Sequence, residues 1–521
     1  MKPVTRAAWL FVFAASIFIT AATSARGNDS ARTIVILHTN DIHGHLTPWR
    51  GWDGELAGKT VGGFARLGAE IKQVRSAKGA EHVLLLDAGD TLGDTLIAHE
   101  TRGSAVMAAM NALRYDAMVI GNHEPDFGSA ALRARIGEAR FPVLAANIEN
   151  RYTGQLFARA TVLREVGGVR IGILGIAYPN TPLTTAKRNV ERLRFRDAIA
   201  TARVYVPRLR AEGAQVVIAL THLGLGADEE LARAIPDIDV IVGGHSHNRM
   251  REALRIGRTL IVQAGAHGSD LGRLDLTVED GRITAHQRTL IALTRDAADP
   301  EIGELIARQI KLHAAKMNKT VGRAATTIAR AQTLAGQDPR KRDAESPADD
   351  LFADVIREKT GADVALLPGV GYGVAIPPGE ITADQLRNLV PHDATVWVMR
   401  LTGEQIKAVL EQAIENVFTN NSSDKVGGMI QVSGLRFRYD SQERRGSRVK
   451  EMTIGFQPLS PDRNYTVATN ALLAQGGHNY RAFARGTNRR QAGKQYDLIQ
   501  AWMGEQDKVT APTTDRIMKH E

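Results

Sequence analysis

At 521 residues the chain is too long for one ordinary core, and its 43% hydrophobic and 24% charged content is that of a folded protein of at least two units. The formal net charge is +9, but Lys and Arg are dispersed among many acids, which argues against binding a nucleic-acid polymer and leaves room for a small anionic substrate. The absence of cysteine excludes disulfides, a thiol nucleophile, a lipid-modified cysteine and a thiolate-held metal.

Residues 1–25 carry Lys2 and Arg6, then an apolar stretch, then small residues closing on Ala-Thr-Ser-Ala, the pattern of an export signal cut near Ala25. No later apolar run reaches spanning length, so no membrane anchor is expected. An exported chain without thiols suits the periplasm, with secretion as the alternative. From Thr33 to about Leu293, runs rich in Val, Ile and Leu alternate with helical stretches at Gly63–Ala77, Ser104–Leu113, Ala130–Ala139 and Asp197–Ala211. The runs have little polar alternation and read as strands buried on both faces, giving one α/β domain over residues 31–295. Asp299–Met317 reads as a helix leaving that domain, and the polar run Ala331–Ser346 as a linker, so residues 296–345 form the connection. A second α/β domain is predicted over 346–521, with helices at Ala348–Lys359 and Thr402–Asn416, a strand at Asp363–Leu367 and strand pairs after Gly428.

Five short segments of the first domain carry the chemistry: Asp41-Ile42-His43, Gly89-Asp90, Gly121-Asn122-His123-Glu124, Thr221-His222 and Gly243-Gly244-His245-Ser246-His247. Each follows a strand-like run (TIVIL, HVLLL, AMVI, VVIAL and VIV), so strand ends can bring them to one cavity. Asp41 and His43, two apart, share a side of an extended segment. Gly89 lets the backbone turn so that Asp90 points inward, and a carboxylate can bridge two cations. Imidazoles favour Zn, Fe, Mn or Ni over Mg or Ca. Two such cations clamp a phosphoryl group and activate water, which makes a hydrolytic two-metal site the natural reading.

The series resembles the calcineurin-like metallophosphoesterase family, in its exported 5′-nucleotidase branch (5′-nucleotidase, 2′,3′-cyclic phosphodiesterase and UDP-sugar hydrolase). The resemblance implies a four-layer α/β/β/α sandwich followed by an α/β substrate-recognition domain. It implies one divalent cation (Zn, Mn or Co) on Asp41, His43, Asp90 and His247, and another on Asp90, Asn122, His222 and His245. It also implies that metal-activated water attacks phosphorus, assisted by His123, which Asp126 would orient. Pro125 stands where the family usually has an aromatic. The stretch from Gln263-Ala264-Gly265 to Leu271-Gly272-Arg273-Leu274 matches the end of the catalytic domain, and His267 within it is expected on the rim. No obligate protein partner is expected.

The second half matches the family at Ile381-Thr382, Leu401-Thr402-Gly403, Gln431-Val432-Ser433-Gly434-Leu435 and Val467-Ala468-Thr469-Asn470. Its substrate positions depart from the pattern. Gly373, beside Tyr372, occupies the place of an arginine, Met429 and Leu472 replace two base-stacking aromatics, and His478 replaces an acid. A glycine supplies no fork for phosphate, and Met or Leu cover a base without a stacking face, so weakened nucleotide recognition is expected. Two other readings share this plan: a manganese thiosulfohydrolase of sulfur oxidation, and a non-catalytic binding protein that retains the fold. The intact Asn122-His123-Glu124 and Asp126 favour the phosphoester hydrolase.

Overall fold

The computed structural model describes residues 31–51, 54–330, 343, 345–369, 374–392, 394–421, 424–513 and 515–520. The export-signal segment, most of the expected linker, and Tyr372 and Gly373 therefore lie outside the described residues. Among the described residues no helix is long and apolar enough to cross a membrane.

The helices form close to their predicted bounds, at Phe64–Lys78, Ser104–Leu113, Ser129–Glu138, Ala198–Ala211, Pro300–Met317, Pro347–Thr360 and Gly403–Phe418. Four of them, at Ala198, Pro300, Pro347 and Gly403, start behind a side chain that caps a free amide. Asp299 and Ser346 accept from the first turn and precede Pro300 and Pro347, which need no donor there. Thr402 and Gln405 form a reciprocal capping box.

In the first domain two six-stranded sheets face each other. One runs in the order Arg282–Ala292, Asp270–Glu279, Arg32–Thr39, Val83–Asp87, Ala117–Val119, Val143–Leu144. The other runs Leu254–Ile256, Thr259–Val262, Val240–Val242, Val216–Thr221, Val169–Ile176, Thr161–Val166. Ile34, Ile36, Leu84 and Leu86 of the first meet Ile171, Ile173, Ile218 and Leu220 of the second in a fully apolar layer. Helix Phe64–Lys78 covers the outer face of one sheet and helices Ala198–Ala211 and Leu225–Ala234 the other, completing four layers. The central strands are parallel within each sheet, so their C-terminal ends emerge on one edge. That edge is where loops of an α/β sheet build sites.

The second domain holds a five-stranded sheet in the order Gln431–Ser433, Val364–Leu367, Asn464–Asn470, Thr395–Thr402, Thr487–Lys494. Strands Thr320–Ala324 and Ile328–Arg330 pair with Gly379–Thr382 and Val374–Ile376. Strand pairing of the second domain thus begins at Thr320, upstream of the expected boundary at 346. These strands are three to five residues long, too short to show an apolar period. Across the junction, the amide of Leu96 donates to Asp384 Oδ1 at 3.3 Å, and one apolar cluster joins Ile97 and Ile306 to Phe352 and Leu386.

Candidate metal centre

The five segments leave the ends of Arg32–Thr39, Val83–Asp87, Ala117–Val119, Val216–Thr221 and Val240–Val242 and meet in one place. Asp41, His43, Asp90, His245 and His247 all have φ between 50° and 77°, in the left-handed region. Non-glycine residues held there store about 1–3 kcal/mol each and persist only where the surroundings fix them. Here the loops brace one another: the amide of Asp41 donates to the Gly89 carbonyl at 2.8 Å, and that of His43 to the Asp90 carbonyl at 2.9 Å. At Gly121 the approach is so close that a Cβ would fall 2.2 Å from Asp90 Oδ1.

The candidate ligand atoms fall into several groups, two of which meet at Asp90. His43 Nε2 is 3.1 Å from His247 Nε2, which is 3.3 Å from Asp41 Oδ1. On the other side His222 Nε2 is 2.9 Å from Asp90 Oδ2, and His245 joins them. Asp90 belongs to both, since it also lies with Asp41 and His43. Two observations test whether cations fit. Asn122 Oδ1 is buried without a hydrogen-bond partner among the described residues, and His222 Nε2 faces the Asp90 carboxylate. The far nitrogens are fixed as donors: His222 Nδ1 donates to the Ala88 carbonyl at 2.7 Å, and His43 Nδ1 pairs with Asp94 Oδ2 at 2.6 Å. Both rings therefore turn an Nε2 lone pair inward, as metal-ligating histidines do. The donor set fits two divalent cations.

Burial alone would raise the Asp41 and Asp90 carboxyls. Neighbouring imidazoles reverse this: His247 and His222 bring Asp41 down to about 2, and His222, His123 and His43 hold Asp90 well below its usual value. Both are anionic, as ligands must be.

Several supports have no signal in the sequence. Glu124 Oε1 accepts from the amides of Thr91 and Leu92 at 2.7 and 3.2 Å, and Oε2 from those of Asp90 and Gly121 at 3.0 and 2.7 Å. One carboxylate thus clamps two ligand loops. Asn40 Nδ2 donates to Asp41 Oδ2 at 2.7 Å. Glu124 stands in the segment Gly121–Glu124 singled out from the sequence, but its role as a clamp on backbone amides has no signal there. Replacing Glu124 with alanine leaves four amides unmatched, and metal affinity is expected to fall about 10- to 100-fold, measured by competition with a chromophoric chelator. Unchanged affinity would show that Glu124 has no part in holding the loops.

His267 is not on the rim. It is buried, with its ring 5.5 Å from that of His43 and 5.8 Å from that of His247. Its amide donates to the Asp41 carbonyl at 2.7 Å, and a left-handed φ of 55° accompanies this placement.

His123 stands beside the ligands. Its amide donates to Asp90 Oδ1 at 2.7 Å, and its ring Nδ1 is 2.8 Å from Asp126 Oδ2. Asp126 is fixed in turn by the Thr185 hydroxyl on Oδ1 at 2.7 Å, with Asn189 Nδ2 on its carbonyl at 2.9 Å. Pro125 fits the short turn Glu124–Phe127. Burial would lower the His123 pKa, but the carboxylates of Asp90, Asp126 and Asp94 hold it well above the usual histidine value.

A cavity of about 270 Å³ runs from this cluster to the second domain. His43, Asp90, Asn122, His123, His245 and His247 line one end, and Pro368, Leu472, Gln475 and His478 the other. Met429 is a correction: it is fully buried in the core of the second domain beside Val432 and Leu473, and does not line the cavity. Its flexible thioether side chain fills a gap in that core. Arg188 is the sole Arg or Lys among the described lining residues.

Residues 34–249 match the calcineurin-like phosphoesterase family, and residues 320–485 the 5′-nucleotidase C-terminal domain. The structure resembles the 5′-nucleotidase precursor of Thermus thermophilus with TM-score 0.84 and 30% identity, over 94% of this chain and 99% of the other. The trifunctional nucleotide phosphoesterase protein YfkN of Bacillus subtilis (strain 168) is 29% identical over 88% of this chain, which spans 33% of that protein's length. The sulfate thiohydrolase SoxB of Thermus thermophilus has TM-score 0.82 at 24% identity, covering 93% of this chain and 96% of the other, a likeness of fold.

Proposed function

We propose that this chain, which belongs to the calcineurin-like phosphoesterase family and carries a 5′-nucleotidase C-terminal domain, is a periplasmic hydrolase of nucleotides or related phosphate esters that works with two divalent cations such as Zn, Mn or Co. The observation that carries this reading is Asp90, whose carboxylate belongs at once to the Asp41–His43 group and the His222–His245 group. Asp41, His43, Asp90 and His247 would hold one cation, and Asp90, Asn122, His222 and His245 the other. When bound, such a pair neutralises phosphoryl charge and lowers the pKa of the attacking water. His123, oriented by Asp126, donates to the phosphoryl or leaving-group oxygen. Leu472 and Pro368 line the far end of the cavity, where they would face the rest of the substrate.

The cavity walls also bear on substrate. With one arginine, exposed at the edge, and no aromatic among the second domain's described lining residues except His392 and His478, they favour one phosphate group and weak choice of base. The test is a panel of AMP, UDP-glucose, 2′,3′-cyclic AMP and an aryl phosphate, run with Mn, Co or Zn. AMP and the aryl ester are expected within about tenfold of each other in kcat/KM, a difference of about 1.4 kcal/mol, with UDP-glucose slower. No turnover by metal-replete protein would overturn the enzyme reading. A preference for AMP beyond about 100-fold would overturn the weak-base reading alone. The thiosulfohydrolase alternative has only a likeness of fold behind it, whereas the His123–Asp126 pair supports phosphoester chemistry.

A further inference from the structure

The second domain sends an imidazole into the dyad of the first. His392 follows Pro391 in the turn between helix Ala383–Leu389 and strand Thr395–Thr402. Its ring lies nearly parallel to that of His123, with centroids 4.8 Å apart and 13° between the planes. Its Nδ1 is 3.6 Å from Asp126 Oδ2, the atom that holds His123, and 4.0 Å from Asp94 Oδ1. The turn that carries it is anchored on both domains. His99 Nε2 donates to the Pro391 carbonyl at 2.6 Å, and Arg330 Nη1 donates to the Leu389 carbonyl at 2.7 Å.

Orienting a flat ring takes two constraints, one in its plane and one on its face. Asp126 supplies the first through Nδ1. A broad, roughly two-fold torsion leaves the plane itself soft unless something packs against it. His43 meets the ring edge-on at 5.6 Å and 62°, and His392 covers its face. Resting on the reading of His123 as the group that acts on the phosphoryl oxygens, we propose that His392 is a positioning residue: it fixes the plane of His123, so the dyad is complete only with the second domain docked. Its contribution falls on the reacting geometry and not on the hold of the cations, since none of the seven candidate ligands is held by it.

The test uses the full-length, metal-loaded protein and the variants His392→Ala, His392→Gln and His392→Phe. His392→Ala is expected to lower kcat on an aryl phosphate about 10- to 100-fold, the scale of a misplaced catalytic group, with KM within about twofold and two cations retained by elemental analysis. His392→Phe, which keeps a flat face, recovers kcat to within about threefold, whereas His392→Gln, similar in length but without a ring, does not. In a His123→Ala background, His392→Ala adds no further loss. Wild-type kcat in His392→Ala, activity in the Gln variant but not the Phe variant, or the same loss with and without His123 would overturn the proposal. Full activity of His123→Ala itself would instead overturn the underlying reading. If the alanine variant does not fold, the Phe and Gln pair decides alone.

Discussion

Replacing Asp90 with alanine is expected to lower kcat/KM by at least about 10³-fold, roughly 4 kcal/mol, and to reduce the bound cations from two per chain to at most one. Three roles converge on this side chain. Oδ2 faces His222 Nε2 at 2.9 Å, the carboxylate also lies with Asp41 and His43, and Oδ1 accepts the amide of His123 at 2.7 Å. Truncation therefore takes a ligand from each cation group and unties the dyad's backbone in one step. Asparagine separates these roles. Asp90→Asn keeps an oxygen for the His123 amide but removes the negative charge that the surrounding imidazoles favour. It is expected to lose cation binding almost as fully as alanine while keeping the turn at Gly121 intact. Elemental analysis after dialysis against a chelator and reloading, beside turnover of an aryl phosphate, checks both. Two cations and wild-type turnover in Asp90→Ala would overturn the bridging role.

What the sequence disclosed divides along physical lines. The candidate ligands could be picked out because each stands shortly after an apolar run that reads as a strand, and because Gly89 marks a close turn; the fold brings those strand ends together. Helices were legible from their apolar period, while the caps that start two of them, Ser346 and the Thr402–Gln405 pair, were not read. The left-handed backbone at Asp41, His43 and Asp90 was not legible: Asp and His tolerate it better than most residues, but only the cross-bracing of distant loops sustains it, so Asp41 and His43 do not lie on an extended segment as expected. Glu124 and Asp94 escaped for a similar reason, since their partners are backbone amides and a ring nitrogen brought near by the fold. Met429 shows the reverse error. The family pattern placed Met429 opposite the base, but the side on which a residue leaves a loop is decided by the core it enters. His392 lies in another domain from its partner His123, and no spacing rule connects them.

Replacing His123 with alanine is expected to lower kcat about 10²- to 10³-fold, the usual result of deleting one preorganised donor to developing charge, while both cations remain bound. The second half of that expectation follows from how Asp90 is held. Its Oδ1 accepts the backbone amide of residue 123, which alanine keeps, and the loop around it is clamped by Glu124, which alanine does not touch. The ring contributes through Asp126, so Asp126→Asn offers a graded version. Asparagine can still accept from the Thr185 hydroxyl, yet it can present an amide N–H to His123 Nδ1 where a carboxylate accepted, which weakens the preference for the ring orientation that leaves Nε2 as donor. A loss of about 10-fold or more in kcat is expected, again with two cations retained. If elemental analysis instead showed His123→Ala losing a cation in step with activity, His123 would belong among the ligands and the proton donor would have to be sought elsewhere along the cavity. Equal cation content with a deep loss in kcat separates the group that acts on the phosphoryl oxygens from the groups that hold the metals. Stacked on His123 and near Asp126, His392 would then be the next side chain through which the second domain could act on the chemistry.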